Sequence, residues 1–127
     1  MILYHFTSQG SAALIVAGGR IRPEPWWYGE CPPVIWLTAT AQRAAYKGFS
    51  GAEALTHTEV RFTVDVPAGD LSPWRPWAMR HEVSEEACER AADGRPARWY
   101  VCERPIPRTE WTRVIWSGTG HPFTTPD

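Results

Sequence analysis

The chain has 127 residues, of which 43% are hydrophobic and 21% charged, and its formal net charge is −1. This predicts one globular domain and excludes a general attraction to nucleic acid or acidic membranes. No basic segment precedes a long apolar run, so neither a signal peptide nor a membrane span is expected. Three cysteines at unrelated spacings form no zinc pattern, which favours a reduced, cytoplasmic protein.

The N-terminal segment predicts a strand, then a helix, then a loop. "MILYHFT" (1–7) has the apolar and aromatic content of a strand. Ser8 or Ser11 can cap the helix that follows, and Gly18-Gly19 can end it in the left-handed conformation. The proline-rich segment 20–33 is expected to be a loop.

The middle of the chain predicts two further strands and a short helix. "VIWLTA" (34–39) is β-branched and aromatic, and "AQRAAYKG" (41–48) predicts a short helix closed by Gly48. "HTEVRFTVDVP" (57–67) predicts the clearest strand, because apolar and polar residues alternate along it. The apolar face consists of Val60, Phe62, Val64 and Val66.

The C-terminal third completes the expected sheet. Segment 68–80 is rich in turn residues, and 84–94 predicts a helix capped by its first serine. Segments 98–107 and 111–116 predict strands, and 118–127 is expected to be a flexible tail. With at least five strands and no regular βαβ alternation, residues 1–117 predict a single compact α+β domain with a mainly antiparallel sheet.

Three predicted strands each contain one candidate functional residue. In chain order these are His5 in "YHFTS", Trp36 in "VIWLT" and Glu103 in "WYVCERPIP". With the short glycine-ended helix after the first strand, this set resembles the ADP-ribosyltransferase superfamily. The closest likeness is to DNA-modifying toxins of the DarT type and to RNA 2′-phosphotransferases. The resemblance covers roughly residues 2–48 and 97–116.

The resemblance implies a split antiparallel sheet and an enzyme that uses NAD as substrate. Such an enzyme cleaves the nicotinamide–ribose bond and transfers ADP-ribose to a protein or nucleic-acid acceptor. It implies that His5 and Glu103 are catalytic: His5 would hold a ribose hydroxyl, and Glu103 would stabilise the oxocarbenium-like centre. Trp36 stands where the family commonly has a tyrosine that stacks on nicotinamide. Tyr46 is the other candidate for that role.

Further residues are candidates for binding NAD. Thr7 lies two residues after His5 and therefore on the same face of the strand. Arg20 could meet the pyrophosphate, and Trp26, next to another tryptophan and a tyrosine, could either stack on adenine or pack as a lid on the core. No metal is expected, because the other histidines do not cluster with carboxylates in the sequence.

Two alternatives stay open. An RNA 2′-phosphotransferase-like enzyme is expected to need an additional basic set around the phosphate, with a histidine where Trp36 stands. A non-catalytic binding module could keep the same fold and use the eight tryptophans as a partner surface.

Overall fold

The fold was obtained as a computed structural model, which describes residues 1–25, 31–44, 46–47, 49–92 and 94–124. Within these ranges the chain forms eight strands and four short helices. The strands are β1 (Ile2–Thr7), β2 (Arg20–Ile21), β3 (Ile35–Thr38), β4 (Val60–Asp65), β5 (Ser72–Pro73), β6 (Trp99–Cys102), β7 (Ile106–Pro107) and β8 (Trp111–Trp116). The helices are α1 (Gln9–Gly18), α2 (Gly51–Thr56), α3 (Trp74–Arg80) and α4 (Glu85–Ala91).

Six of the strands form one sheet in the order β5-β6-β3-β1-β4-β8, and β2 and β7 form a separate pair. Every neighbouring pair of strands is antiparallel. The prediction of an α+β fold with a mainly antiparallel sheet and short helices is therefore confirmed.

Helix α1 and strand β4 form where local signals in the sequence predicted a helix and a strand. The Ser8 hydroxyl accepts a hydrogen bond from the Ser11 amide, so Ser8 is the N-cap of α1, and Gly19 ends the helix with φ of 75°. In β4 the alternating residues Val60, Phe62 and Val64 are all buried. A period of two therefore predicted both the strand and its buried face.

The core consists of two clusters, and alternation along the strands assigns them to opposite faces of the sheet. Leu3 belongs to one cluster and Phe6 to the other. The cluster that contains Phe6 also contains four buried tryptophans, called here the tryptophan cluster: Trp36, Trp74, Trp77 and Trp99. The ring centroids of Trp36 and Trp74 lie 4.3 Å apart. Helices α3 and α4 cover this face.

The predicted helix at 41–48 is wrong, because the described residues 41–44 and 46–47 are not helical. Tertiary contacts fix this segment instead. Arg61 donates to the Ala41 carbonyl at 2.6 Å, the Tyr46 side chain is buried, and Lys47 has φ of 56°. The left-handed backbone of Lys47 cannot continue a right-handed helix. Burial of the Tyr46 side chain therefore outweighs the helix propensity of segment 41–48.

Segment 68–80 was predicted as a turn-rich connection, but its second half is helix α3. Pro76 is the third residue of that helix, where the missing amide hydrogen has no intrahelical partner to lose. Trp74 and Trp77 are three residues apart, lie on one helix face and are buried in the core. Packing of these two indoles explains why a proline-containing segment is helical.

The predicted strand at 98–107 is interrupted after Cys102, so Glu103 lies in a bend and not in a strand. The chain then forms β7, and the Arg104 guanidinium bonds to both Asp70 and Glu110. Beyond β8, Pro122 bridges to Ile115. Residues 125–127 of the predicted tail lie outside the described residues.

The large sheet opens between β1 and β3. These strands pair at one position, Tyr4 opposite Thr38. Continuing this register would place Phe6 opposite Trp36. There the Phe6 carbonyl accepts a hydrogen bond from the Tyr46 hydroxyl at 2.7 Å, and the Trp36 carbonyl accepts one from the His5 ring at 2.9 Å. Side chains from His5 and Tyr46 thus bond the backbone where the strands separate.

Tyr46→Phe is expected to lower the free energy of unfolding by about 1–2 kcal/mol, because it leaves a buried carbonyl without the hydroxyl donor. Tyr100→Phe is the matched control, since Tyr100 is half-buried and its hydroxyl makes no described hydrogen bond. Urea unfolding of both variants measures the difference. Equal stability of the two would contradict a supporting role for the Tyr46 hydroxyl.

Candidate functional site

A pocket of about 550 Å³, called here the His5 pocket, lies at the opening of the sheet. This volume is within the range of small-molecule binding sites. Its walls come from β1, from one face of α1, from β2 and the segment after it, and from the segments on either side of α2. Among the side chains that line it are those of His5, Thr7, Arg20, Arg22, Glu24, Tyr46, Lys47, Phe49 and His57.

His5 is a neutral hydrogen-bond acceptor in this pocket. Burial lowers its pKa to about 4, and the nearby Lys47 charge acts in the same direction, although the bond to the Trp36 carbonyl opposes both. A carbonyl only accepts, so the Nδ1 atom, 2.9 Å from the Trp36 oxygen, carries the proton. The other ring nitrogen, Nε2, therefore has a lone pair that can accept a hydroxyl hydrogen from a ligand.

Thr7 and Tyr46 also line the His5 pocket. Thr7 is two residues from His5 on the same face of β1, as the alternation predicted, and it is nearly buried. Tyr46 reaches the pocket from the loop before α2. Burial raises the pKa of its hydroxyl, so the group stays protonated and donates to Phe6.

Three cationic side chains face one carboxylate in the pocket wall. The cations are Arg20, Arg22 and Lys47, and the carboxylate is that of Glu24. Burial lowers the pKa of Lys47, and Glu24 partly offsets this. The unbalanced positive charge favours an anionic ligand, and guanidinium groups suit the planar geometry of phosphate oxygens.

An aromatic pair that the sequence did not single out forms another part of the wall. The Phe49 and His57 rings are stacked, with centroids 3.9 Å apart and planes 3° from parallel. Tyr46 contacts Phe49 edge to face, with centroids 5.8 Å apart. Such rings provide a surface for a flat heteroaromatic ligand. No pattern in the sequence indicated this pair, because its members flank helix α2 and come together only in the folded chain.

Trp36, predicted to stack on nicotinamide, does not line the His5 pocket. Its ring is 1% exposed and is enclosed in the tryptophan cluster, with Trp74 and Trp99 beside it. The alternation of β3 puts the indole on the face opposite the His5 side chain. Its contribution to the site is the backbone carbonyl that orients His5.

Glu103 lines a neighbouring cavity of about 570 Å³, called here the Glu103 cavity. Arg20 and Arg22 belong to the walls of both cavities. The link follows from the fold: β2, which contains Arg20, pairs with β7, and Glu103 lies just before β7. The exposed carboxylate accepts a hydrogen bond of 3.4 Å from the Trp77 indole. His5 and Glu103 thus line adjoining cavities that share two arginines.

Trp26 lies outside the described residues, so its predicted role stays a prediction. Within the described ranges, no group of three or more histidine, cysteine, aspartate or glutamate side chains is arranged to hold a metal ion. Within the same ranges, no helix has both the length and the apolar character needed to span a membrane.

Comparison with known proteins gives no relative for this chain. No family model, no curated protein and no solved structure matches it.

The lowered pKa of His5 predicts a pH dependence of stability. Between pH 6.5 and 4 the unfolded chain binds a proton on His5 that the folded chain does not, so this contribution to stability is present above pH 6.5 and is lost toward pH 4. Between pH 7.5 and 5 we expect wild type to lose roughly 2 kcal/mol more than His5→Gln.

Urea unfolding at the two pH values measures this difference, with His121→Gln as control because His121 is exposed. The His121 variant is expected to keep the wild-type pH dependence. A His5 ring that titrates near pH 6.5 by NMR in the folded protein would contradict the prediction.

Proposed function

We propose that the protein is an NAD-dependent ADP-ribosyltransferase whose NAD site is formed by the His5 pocket and the Glu103 cavity. One observation carries the proposal: a sheet opened by side-chain bonds holds a neutral histidine in a pocket that shares two arginines with a carboxylate-bearing cavity. A dinucleotide needs both an anion site and room for two ring systems, which two adjoining cavities provide.

Different lining residues suit different parts of NAD. Arg20 and Arg22, common to both cavities, suit the pyrophosphate. The Nε2 atom of His5 would accept a hydrogen bond from a ribose hydroxyl. The stacked Phe49 and His57 rings offer the flat surface that was first attributed to Trp36.

The chemistry proposed for Glu103 follows from the reaction. The bond between the nicotinamide nitrogen and ribose C1′ breaks, and its electron pair leaves with nicotinamide. The positive charge that develops on the ribose is stabilised by a nearby carboxylate. The acceptor then forms a bond to C1′ and gives its proton to the carboxylate of Glu103 as general base.

A second candidate is an RNA 2′-phosphotransferase-like reaction, which also uses NAD. The observation in its favour is the set of Arg20, Arg22 and Lys47 around His5, a cationic wall suited to a phosphate. The absence of a histidine at position 36 counts against it, since Trp36 is enclosed in the core.

NAD is expected to stabilise the folded chain by about 2.7 kcal/mol at a hundredfold excess over its dissociation constant. Thermal unfolding with and without NAD measures this, and Arg20→Gln together with Arg22→Gln is expected to reduce the shift. Arg80→Gln, on an exposed residue outside both cavities, is the control. No shift at millimolar NAD would remove NAD as the ligand.

Incubation with NAD labelled in the adenine moiety and a cell lysate tests the reaction. After incubation, protein and nucleic acid are separated, and label in either fraction identifies the acceptor. A parallel incubation with 2′-phosphorylated RNA tests the second candidate. Binding of NAD without nicotinamide release in any incubation would leave the protein as a non-catalytic binding module.

Glu103→Gln is expected to lower the rate of NAD turnover by about a hundredfold or more, which corresponds to roughly 3 kcal/mol of transition-state stabilisation. NAD affinity and melting temperature should change little, because the amide oxygen can still accept from the Trp77 indole. Glu53→Gln, on an exposed helix residue, is the control. Unaltered turnover in the Glu103 variant would exclude Glu103 from the mechanism.

A further inference from the structure

A third cavity, of about 130 Å³, lies where β3 ends and the segment before β6 begins. Polar and cationic side chains form most of its wall. They are those of Thr38, Thr40, Gln42, Arg43, Arg95 and Arg98. No aspartate or glutamate lines this cavity among the described residues.

Arg95 and Arg98 differ from several other arginines of this chain because, among the described residues, they have no carboxylate partner. Arg75, Arg90 and Arg104 each pair with one or two carboxylates. In the part of the chain that the structure describes, the Arg95 and Arg98 side chains form no ion pair and no hydrogen bond. Two guanidinium groups at one cavity therefore keep all their donors available.

The third arginine of the cavity, Arg43, is held rigidly. Its Nε atom donates to the Thr58 carbonyl and hydroxyl oxygens, each at 3.1 Å, and its Nη2 atom donates to the Leu55 carbonyl at 3.0 Å. These acceptors are neutral, so the full positive charge of Arg43 persists beside the cavity.

The backbone that carries the two unpaired arginines is fixed as well. The Arg98 amide donates to the Arg95 carbonyl, and the Arg98 carbonyl accepts from the Ala39 amide. Opposite them, Thr38 is fully buried, and its hydroxyl oxygen accepts from the Thr40 amide at 3.2 Å. Thr38 thus fixes the backbone of Thr40, whose half-buried side chain also lines the cavity.

We propose that this cavity binds a phosphate group through Arg95 and Arg98, with Thr40 as a supporting donor. Three guanidinium groups without a lining carboxylate repel one another, and a phosphate relieves this repulsion with oxygens that match the planar fork of arginine. The cavity has the scale of one such group and not of a nucleotide, since ligand pockets for larger molecules begin at about 300 Å³.

This site is separate from the proposed NAD site. Trp99 lines the phosphate cavity and Tyr46 lines the His5 pocket, and these two rings stack with centroids 5.4 Å apart. The aromatic pair is therefore a wall between the two cavities. The bound group is either a free phosphate anion or a phosphodiester of a nucleic-acid backbone, and titration with each ligand distinguishes the two sources.

The full chain is titrated with inorganic phosphate at constant ionic strength. Binding is monitored through the NMR chemical shifts of the backbone amides of Thr40, Gln42 and Arg98. Wild type is expected to show saturable shifts. The double variant Arg95→Gln/Arg98→Gln is expected to bind phosphate at least fivefold more weakly. Arg80→Gln/Arg113→Gln removes the same charge from exposed arginines outside the cavity and is expected to bind as wild type.

A second titration uses a single-stranded thymidine 10-mer. Competition between oligonucleotide and phosphate for the same amides, with tighter binding and a steep salt dependence, identifies a nucleic-acid backbone as the source. Phosphate binding without oligonucleotide binding identifies a free phosphate. Non-saturable shifts, or equal weakening in both double variants at unchanged melting temperature, would overturn the proposal.

Asp93 is the carboxylate next to this segment in the sequence, and it lies outside the described residues. Asp93→Asn is expected to bind phosphate at least as tightly as wild type, because it removes a negative charge two residues before Arg95 in the sequence. Weaker binding by this variant would contradict a site built from arginine side chains.

Discussion

The separation of β1 from β3 creates the pocket that His5 lines. A sheet cannot open in its middle at no cost, because each buried backbone group left without a partner costs about 1–3 kcal/mol. Here the Tyr46 hydroxyl bonds the Phe6 carbonyl and the His5 ring bonds the Trp36 carbonyl. The two side chains that make the opening possible also line the pocket that it creates. The same two hydrogen bonds therefore stabilise the opened sheet and position the side chains of the His5 pocket.

The parts of the fold that depend on neighbouring residues were predictable from the sequence, and the parts that depend on distant contacts were not. Ser8 and Gly19 mark the ends of α1, and the period of two in β4 gave its buried face. The helix expected at 41–48 fails because Tyr46 is drawn into the sheet opening 40 residues away in sequence. Helix α3 was missed because Trp74 and Trp77, buried in the core, outweigh the proline between them.

The candidate site shows the same division. Alternation in β1 correctly put Thr7 on the face of His5, because two residues along a strand always share a face. The same rule separates Trp36 from His5, but applying it requires the register between β1 and β3, which no single strand contains. Phe49 and His57 flank helix α2 and stack only because of where the fold places the two ends of that helix. Side chains on regular elements are thus predictable in direction, while those on loops depend on the finished fold.

The charge of His5 connects the structure of the opening to its chemistry. The Trp36 carbonyl favours the charged ring, yet burial and the nearby Lys47 outweigh it, so the imidazole is neutral at physiological pH. A charged ring would add a fourth cation to a wall that already has Arg20, Arg22 and Lys47 against Glu24. A neutral ring with its proton fixed on Nδ1 instead offers a lone pair within a cationic pocket. An anion bearing a hydroxyl group satisfies both features at once, because its negative charge meets the cations while the hydroxyl donates to Nε2. A ribose joined to a phosphate is one ligand with that combination.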